Sequence, residues 1–192
     1  MDYNRIAMAF RPSFIAVPLS LAMAGSGAYL VYVGNLPTGT AQVQSEPKHP
    51  VTEAMAKEAR ERTTKPAPKL VGTDATGATV DLSRVLESGP AVVVFIKNGF
   101  PCSIESQPVF NQVATNYEGK AQFIGVIDGG PAVAAEYQKI NEVPFPVVCD
   151  PNLEIMARYE IKQSVYVALI AKDGRIEKLW PGYNKQMVGE LN

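Results

Sequence analysis

The sequence predicts an α/β domain, a central sheet flanked by helices, carried behind an amino-terminal membrane helix. Three observations predict it. From about residue 69 onward, short apolar runs alternate with amphipathic stretches, the pattern of strands and covering helices. One of those runs, Ala91–Phe95 (AVVVF), is β-branched and has no polar alternation, as a strand covered on both faces requires. Between Arg11 and Glu46 the chain carries no charged residue at all.

Composition narrows the function. Lys+Arg number 18 against Asp+Glu 19, a net charge of -1, so the basic footprint of a nucleic-acid-binding protein is missing and that class is excluded. Hydrophobic residues make up 46% and charged residues 19%, which excludes wholesale disorder. One histidine, His49, and two cysteines, Cys102 and Cys149, are too few for a structural zinc site or a disulfide-dense scaffold. Any mechanism that pairs a serine or cysteine with a histidine must run through His49.

Ser13–Val33 is a 21-residue apolar stretch that spans roughly 31 Å as a helix, the thickness of a bilayer core. Arg5 and Arg11 precede it and no positive charge follows until Lys48. Residues 1–12 are therefore expected in the cytoplasm and the bulk of the chain on the periplasmic or extracellular side. Ala22-Met23-Ala24 offers a signal-peptidase pattern, but apolar sequence continues through Tyr29–Val33, which favours an uncleaved anchor. Residues 34–68 are rich in Pro, Thr, Gln, Lys and Glu and read as a linker with one short helical pattern at Ala54–Arg62. His49, beside Pro50 in that linker, reads as a solvated residue. The globular unit is expected over 69–192.

Within it, Ala91–Phe95 is followed by an expected helix at Ser103–Tyr117 and a strand at Gln122–Asp128. Gly129-Gly130 closes that strand and is a turn, since neither a dinucleotide-binding glycine pattern nor a P-loop lysine accompanies it. Pro131–Ile140 reads as a helix, Phe145–Cys149 as a short strand, and Asn152–Tyr159 as a helix capped by Asp150 or Asn152. Val165–Ala171 and Arg175–Trp180 form a hairpin about Lys172-Asp173-Gly174. A last helix is expected at Asn184–Leu191. Trp180-Pro181-Gly182-Tyr183 is either an exposed aromatic patch or packing for that helix.

Several pieces in order resemble the thioredoxin-like redoxins of the alkyl hydroperoxide reductase/thiol-specific antioxidant family. Asp74-Ala75-Thr76-Gly77 with Val80-Asp81-Leu82-Ser83 is similar to the family's opening hairpin. Ala91–Lys97 resembles the strand leading to its reactive cysteine, and Cys102-Ser103-Ile104-Glu105 the helix start that carries it. Phe145–Pro151 and Leu169–Ile176 are similar to its second half. The resemblance covers nearly all of 66–191. It implies a thioredoxin-like fold with a mixed sheet and an oxidoreductase without cofactor or metal. It also implies a peroxide or disulfide substrate and an external thiol as reductant.

Cys102 is the candidate nucleophile. A strand ending near Lys97, a Gly99-Phe100-Pro101 turn and a helix opening at Cys102 or Ser103 put its sulfur at a helix amino terminus, which favours a thiolate, with Lys97 nearby. Such a thiolate attacks a peroxide O–O bond or a disulfide sulfur. The bland reading is a small apolar filler beneath the helix. Glu105 either steers a proton near Cys102 or complements the helix dipole. Cys149, at the carboxyl end of a strand, is either a resolving thiol on the same sheet edge as Cys102 or core packing.

The chain departs from the family's pattern at several places. Peroxidases of the family carry threonine or serine three residues before the cysteine, where Gly99 stands here, and an arginine near the position of Val165. The related membrane-tethered thiol:disulfide oxidoreductases use a Cys-x-x-Cys turn. Matching Glu105 puts Gly99 and Cys102 at its two positions, and matching Pro108 puts Phe100 and Ser103 there. Their cis-proline position is occupied by Ser164-Val165-Tyr166. A copper-delivery role, which needs two close cysteines and a histidine, is excluded. The expected function is a thiol-based redox protein of the exported compartment, with an enzyme completed by a partner's cysteine as a variant of it. The alternative is a catalytically decayed thioredoxin-fold binding module tethered at the membrane.

Overall fold

The computed structural model describes residues 51–182 together with Met187 and Glu190. The expected span at 13–33, His49 and most of the expected helix at Asn184–Leu191 lie outside the described residues, although Met187 and Glu190 are helical. Among the described residues no helix is long and apolar enough to cross a membrane.

The elements run α1 (Glu53–Arg62), β1 (Val71–Thr73), β2 (Thr79–Asp81), α2 (Leu82–Ser88), β3 (Ala91–Ile96), α3 (Pro101–Asn116), β4 (Gln122–Ile127), α4 (Pro131–Ile140), β5 (Val147–Cys149), α5 (Glu154–Arg158), β6 (Tyr166–Ile170) and β7 (Ile176–Trp180). β1 and β2 form a small antiparallel hairpin, and the main sheet has the order β5-β4-β3-β6-β7. β3, β4 and β5 run parallel, while β6 and β7 run antiparallel to their neighbours.

All six residues of β3 are buried, and their alternation divides the core in two. Val93 and Phe95 face a cluster that includes Leu86, Ile155 and Tyr159. Val92, Val94 and Ile96 face the cluster beneath α3 and α4, with Phe110, Val113 and Tyr137. This is the doubly covered central strand that the AVVVF run predicts.

Several boundaries differ from the sequence expectation for local reasons. α3 starts two residues early because Pro101 suits the first helical position, where its missing N–H costs nothing. β5 is only three residues long, since Pro144 and Pro146 ahead of it cannot donate to a ladder. α5 begins at Glu154 rather than Asn152 because Leu153 turns into the left-handed region at φ 58°. Asp150 still caps that helix from outside, accepting the N–H groups of Ile155 (3.1 Å) and Met156 (2.8 Å). α2 is absent from the sequence reading, although Asp81 caps it through the Ser83 N–H.

The largest difference concerns the segment read as a spacer. Ala59 of α1 is part of the core, and Arg62 donates to the Tyr159 carbonyl at 2.6 Å. Residues 64–67 then run along Gly174–Ile176, where the hairpin enters β7, with Thr64 N–H on the Ile176 carbonyl and Ile176 N–H on that of Lys65. The compact body thus takes in α1 and the segment after it, which covers the edge at the start of β7. Trp180, Pro181 and Gly182 are buried, and the Trp180 indole donates to Glu190 at 2.8 Å, so that segment packs the domain's end.

Candidate active site

β3 delivers the chain to the sheet's carboxyl edge, where a four-residue turn, Lys97–Phe100, reverses it into α3. The Phe100 N–H closes the turn on the Lys97 carbonyl at 3.3 Å. Gly99, third in the turn, sits at φ 75°, a conformation glycine enters without steric cost. Phe100 is the N-cap, with Pro101 next. Cys102 is therefore the second residue of a 16-residue helix, at the positive end of its dipole. It is a free thiol of intermediate exposure that packs against the apolar cluster under α3 and α4.

Two backbone amides of the turn are tied to side chains. Lys97 N–H donates to Ser103 Oγ at 3.1 Å, and Ser103 Oγ pairs with Ser164 Oγ at 2.5 Å. Asn98 N–H donates to Asp128 Oδ1 at 2.6 Å. From α4, the Tyr137 hydroxyl donates to the Ser103 carbonyl at 2.9 Å and lies 3.1 Å from Gln107 Oε1. Burial holds that phenol well above its ordinary range. Ser103 is 1% exposed, so it belongs to the packed underside of the helix start.

The supporting residues named from sequence fall into two sets. Gly99, Phe100, Pro101 and Ser103 form the turn and first helical turn around Cys102. Lys97 directs its ammonium to the Lys162 carbonyl (3.4 Å) and lies 6.0 Å from the Phe100 ring centroid. Glu105 lies on the exposed side of α3. Phe100 and Ile104 are about half exposed and flank the cysteine on the outer face. Of the two ways to lay a Cys-x-x-Cys turn on this chain, Phe100 and Ser103 hold the N-cap and third helical positions, which face each other across a helix start. Gly99 lies before the helix. The peptide Ser164–Val165 is cis.

Cys149 ends β5, in register with Ile127 of β4, which is in register with Ile96 of β3. It therefore lies two strand spacings, roughly 9.6 Å, from the end of β3, and packs against the same apolar cluster as Cys102. Both cysteines are free. Burial, and then the Asp74 carboxylate, push the Cys149 thiol up. Asp74 reaches it from the opening hairpin, whose backbone bridges Val148. The Asp74 carboxyl is itself held below its usual value, first by the Thr76 hydroxyl (2.6 Å). The two thiols thus sit in unlike settings.

Asp128, Ser164 and Tyr137 are the residues sequence reasoning did not assign to the site. Asp128 was visible only as the end of a strand, and Ser164 and Tyr137 reach the helix start from 61 and 34 residues away. Among the described residues no group of three His, Cys, Asp or Glu converges to hold a metal.

Residues 63–179 match the model of the AhpC/TSA family. No curated protein matches the sequence. Among solved structures, the chain is similar to the peroxidoxin BcpB of Mycobacterium tuberculosis, at 16% identity and a TM-score of 0.60, over 67% of this chain and 92% of that one. It is similar to a secreted M. tuberculosis disulfide oxidoreductase homologous to E. coli DsbE, at 19% identity and TM-score 0.56, over 69% and 98% of the two chains. A thiol-disulfide oxidoreductase of Bacteroides fragilis gives 16% and 0.59, over 66% and 97%. At these identities the likeness is one of fold.

Proposed function

The chain belongs to the AhpC/TSA family of thiol-dependent oxidoreductases, and from that premise we propose that it reduces peroxides or exchanges disulfides through Cys102. The observation that carries this reading is the placement of the thiol: Cys102 is the second residue of α3, at its amino terminus, whereas Cys149 ends β5, where burial and then the Asp74 carboxylate push its thiol up. In exchange, the Cys102 sulfur bonds to one sulfur of a disulfide and the other leaves as a thiolate. With a peroxide it attacks the O–O bond, becomes a sulfenic acid and releases hydroxide or alkoxide. An external thiol reductant returns either product to the free thiol. Cys149 is the candidate resolving thiol within the chain. It shares an apolar cluster and a sheet edge with Cys102, and such a step needs the two Cα atoms within roughly 7 Å.

The anchor belongs to the same proposal. The uncharged run at 13–33 and the arginines before it support a redox domain tethered at the membrane on its periplasmic or extracellular face. The substitution of Gly99 for a hydroxyl residue and the missing second cysteine at the turn favour the binding-module reading as the rival. To separate the two, the full chain is treated with peroxide or a small disulfide, with sulfenic-acid trapping and intact mass. Cys102 is expected to react at least about tenfold faster than free cysteine, as a thiol at a helix amino terminus does. Cys102→Ser is expected to abolish the reaction and Cys149→Ser to leave its first step intact. A rate no greater than that of free cysteine sinks the enzyme reading and leaves the binding module.

A further inference from the structure

The turn that presents Cys102 has left the β3 ladder, yet it is held by a carboxylate from the neighbouring strand. Asp128 follows β4 directly. Its backbone N–H donates to the Ile96 carbonyl at 3.3 Å, and its Oδ1 accepts the Asn98 N–H at 2.6 Å. Residues 96–98 are thereby bracketed by one residue, with a charge-assisted bond as the second clasp. Lys97 N–H, between them, is bound on the other side by Ser103 Oγ. Successive amides are thus tied in different directions, which fixes the turn's orientation before Gly99 reverses the chain.

We propose that Asp128 is a positioning residue for Cys102: through the Asn98 amide it sets where α3 begins and so where the thiol is presented. This rests on the reading of Cys102 as the reacting thiol. Asp128→Asn keeps an acceptor oxygen and removes the charge, whereas Asp128→Ala removes the acceptor. The rate of Cys102 with peroxide and with a small disulfide is measured on the full chain, referred to the folded fraction, alongside hydrogen exchange at the Asn98 amide.

Asp128→Ala is expected to slow Cys102 about tenfold, since misplacement of a reacting group by a fraction of an ångström has effects of that order, and to speed Asn98 exchange. Asp128→Asn is expected to retain at least half the parent rate, a rescue that loss of charge does not allow if charge is what matters. Should Asp128→Ala fail to fold, Asn98→Pro removes the donor instead, at a turn position that accepts proline, and the same loss is expected. A parent-like rate in the variant lacking the bond overturns the assignment, as does an equal loss in Asp128→Asn. A parent thiol no faster than free cysteine overturns the Cys102 reading itself, and the positioning role falls with it.

Discussion

Gly99 shows how one residue can be fixed by backbone geometry at a position where the resembling peroxidases carry a hydroxyl. Its φ of 75° closes the turn ahead of Cys102, and nothing crowds a Cβ there, so the constraint is conformational rather than steric contact with neighbours. A β-branched residue enters that region only with strain. Gly99→Thr is therefore expected to lower stability by about 1–3 kcal/mol, measured as a denaturant midpoint, and to bring no gain in peroxide reactivity. An undiminished midpoint means that the turn relaxes and that the missing hydroxyl has another cause. The cysteines make the complementary point: two chemically identical thiols are separated by a helix terminus on one side and by burial beside a carboxylate on the other.

Among the elements, α1 is read from the sequence as a helix but not as part of the domain. The stretch AMAKEARER carries charge on nearly every face, and only Ala59 of it enters the core, so its sequence reads as solvated. What docks it is Arg62, whose side chain is 13% exposed. Its Nη1 donates to the Tyr159 carbonyl, while Glu58 and Glu160 lie 3.7 and 3.6 Å from its Nη2. Arg62→Ala is expected to cost about 1.5–3 kcal/mol, the worth of a hydrogen bond to a charged donor, read from the denaturation curve. Arg62→Lys is expected to recover only part of this, because a single ammonium cannot serve the carbonyl and both carboxylates in the same fork geometry. A loss within 0.5 kcal/mol, the range of about ±0.5 kcal/mol for a surface substitution, would mean that α1 is held by little. β3 stands at the other extreme: six consecutive apolar residues predict its place and its cover together, because a strand buried on both faces has no polar alternation to interpret.

At the scale of the molecule, buried ionisable groups set the pH range of the fold. Cys149, Tyr137, Tyr159 and Tyr166 are all raised, each chiefly by burial. In the unfolded chain the thiol and phenols ionise near their ordinary 9.0 and 10.0, while in the folded chain burial raises each above that value. The native state then binds more protons than the unfolded one, so stability falls as pH rises. Stability is expected to be full well below pH 9.0, the ordinary value of the thiol, and to decline as pH rises past it. Cys149→Ser and Tyr137→Phe should each flatten the decline. Unfolding midpoints that stay constant to pH 11 would contradict the burial of these groups.

Local periodicity, proline and glycine positions, and one cysteine next to a turn suffice for the fold class, the order of nearly all the strands and helices, and Cys102 as the thiol at a helix start. Tertiary structure decided what depends on residues far apart in the chain. It docked α1 through Arg62 on Tyr159, placed Asp74 beside Cys149, and brought Asp128 to the turn ahead of α3 and Ser164 and Tyr137 to its first turn. A polar side chain carries no periodic signal of its partner. Only the sheet order β5-β4-β3-β6, which sets the carboxyl end of β4 and the start of β6 on either side of β3, turns those isolated residues into a site.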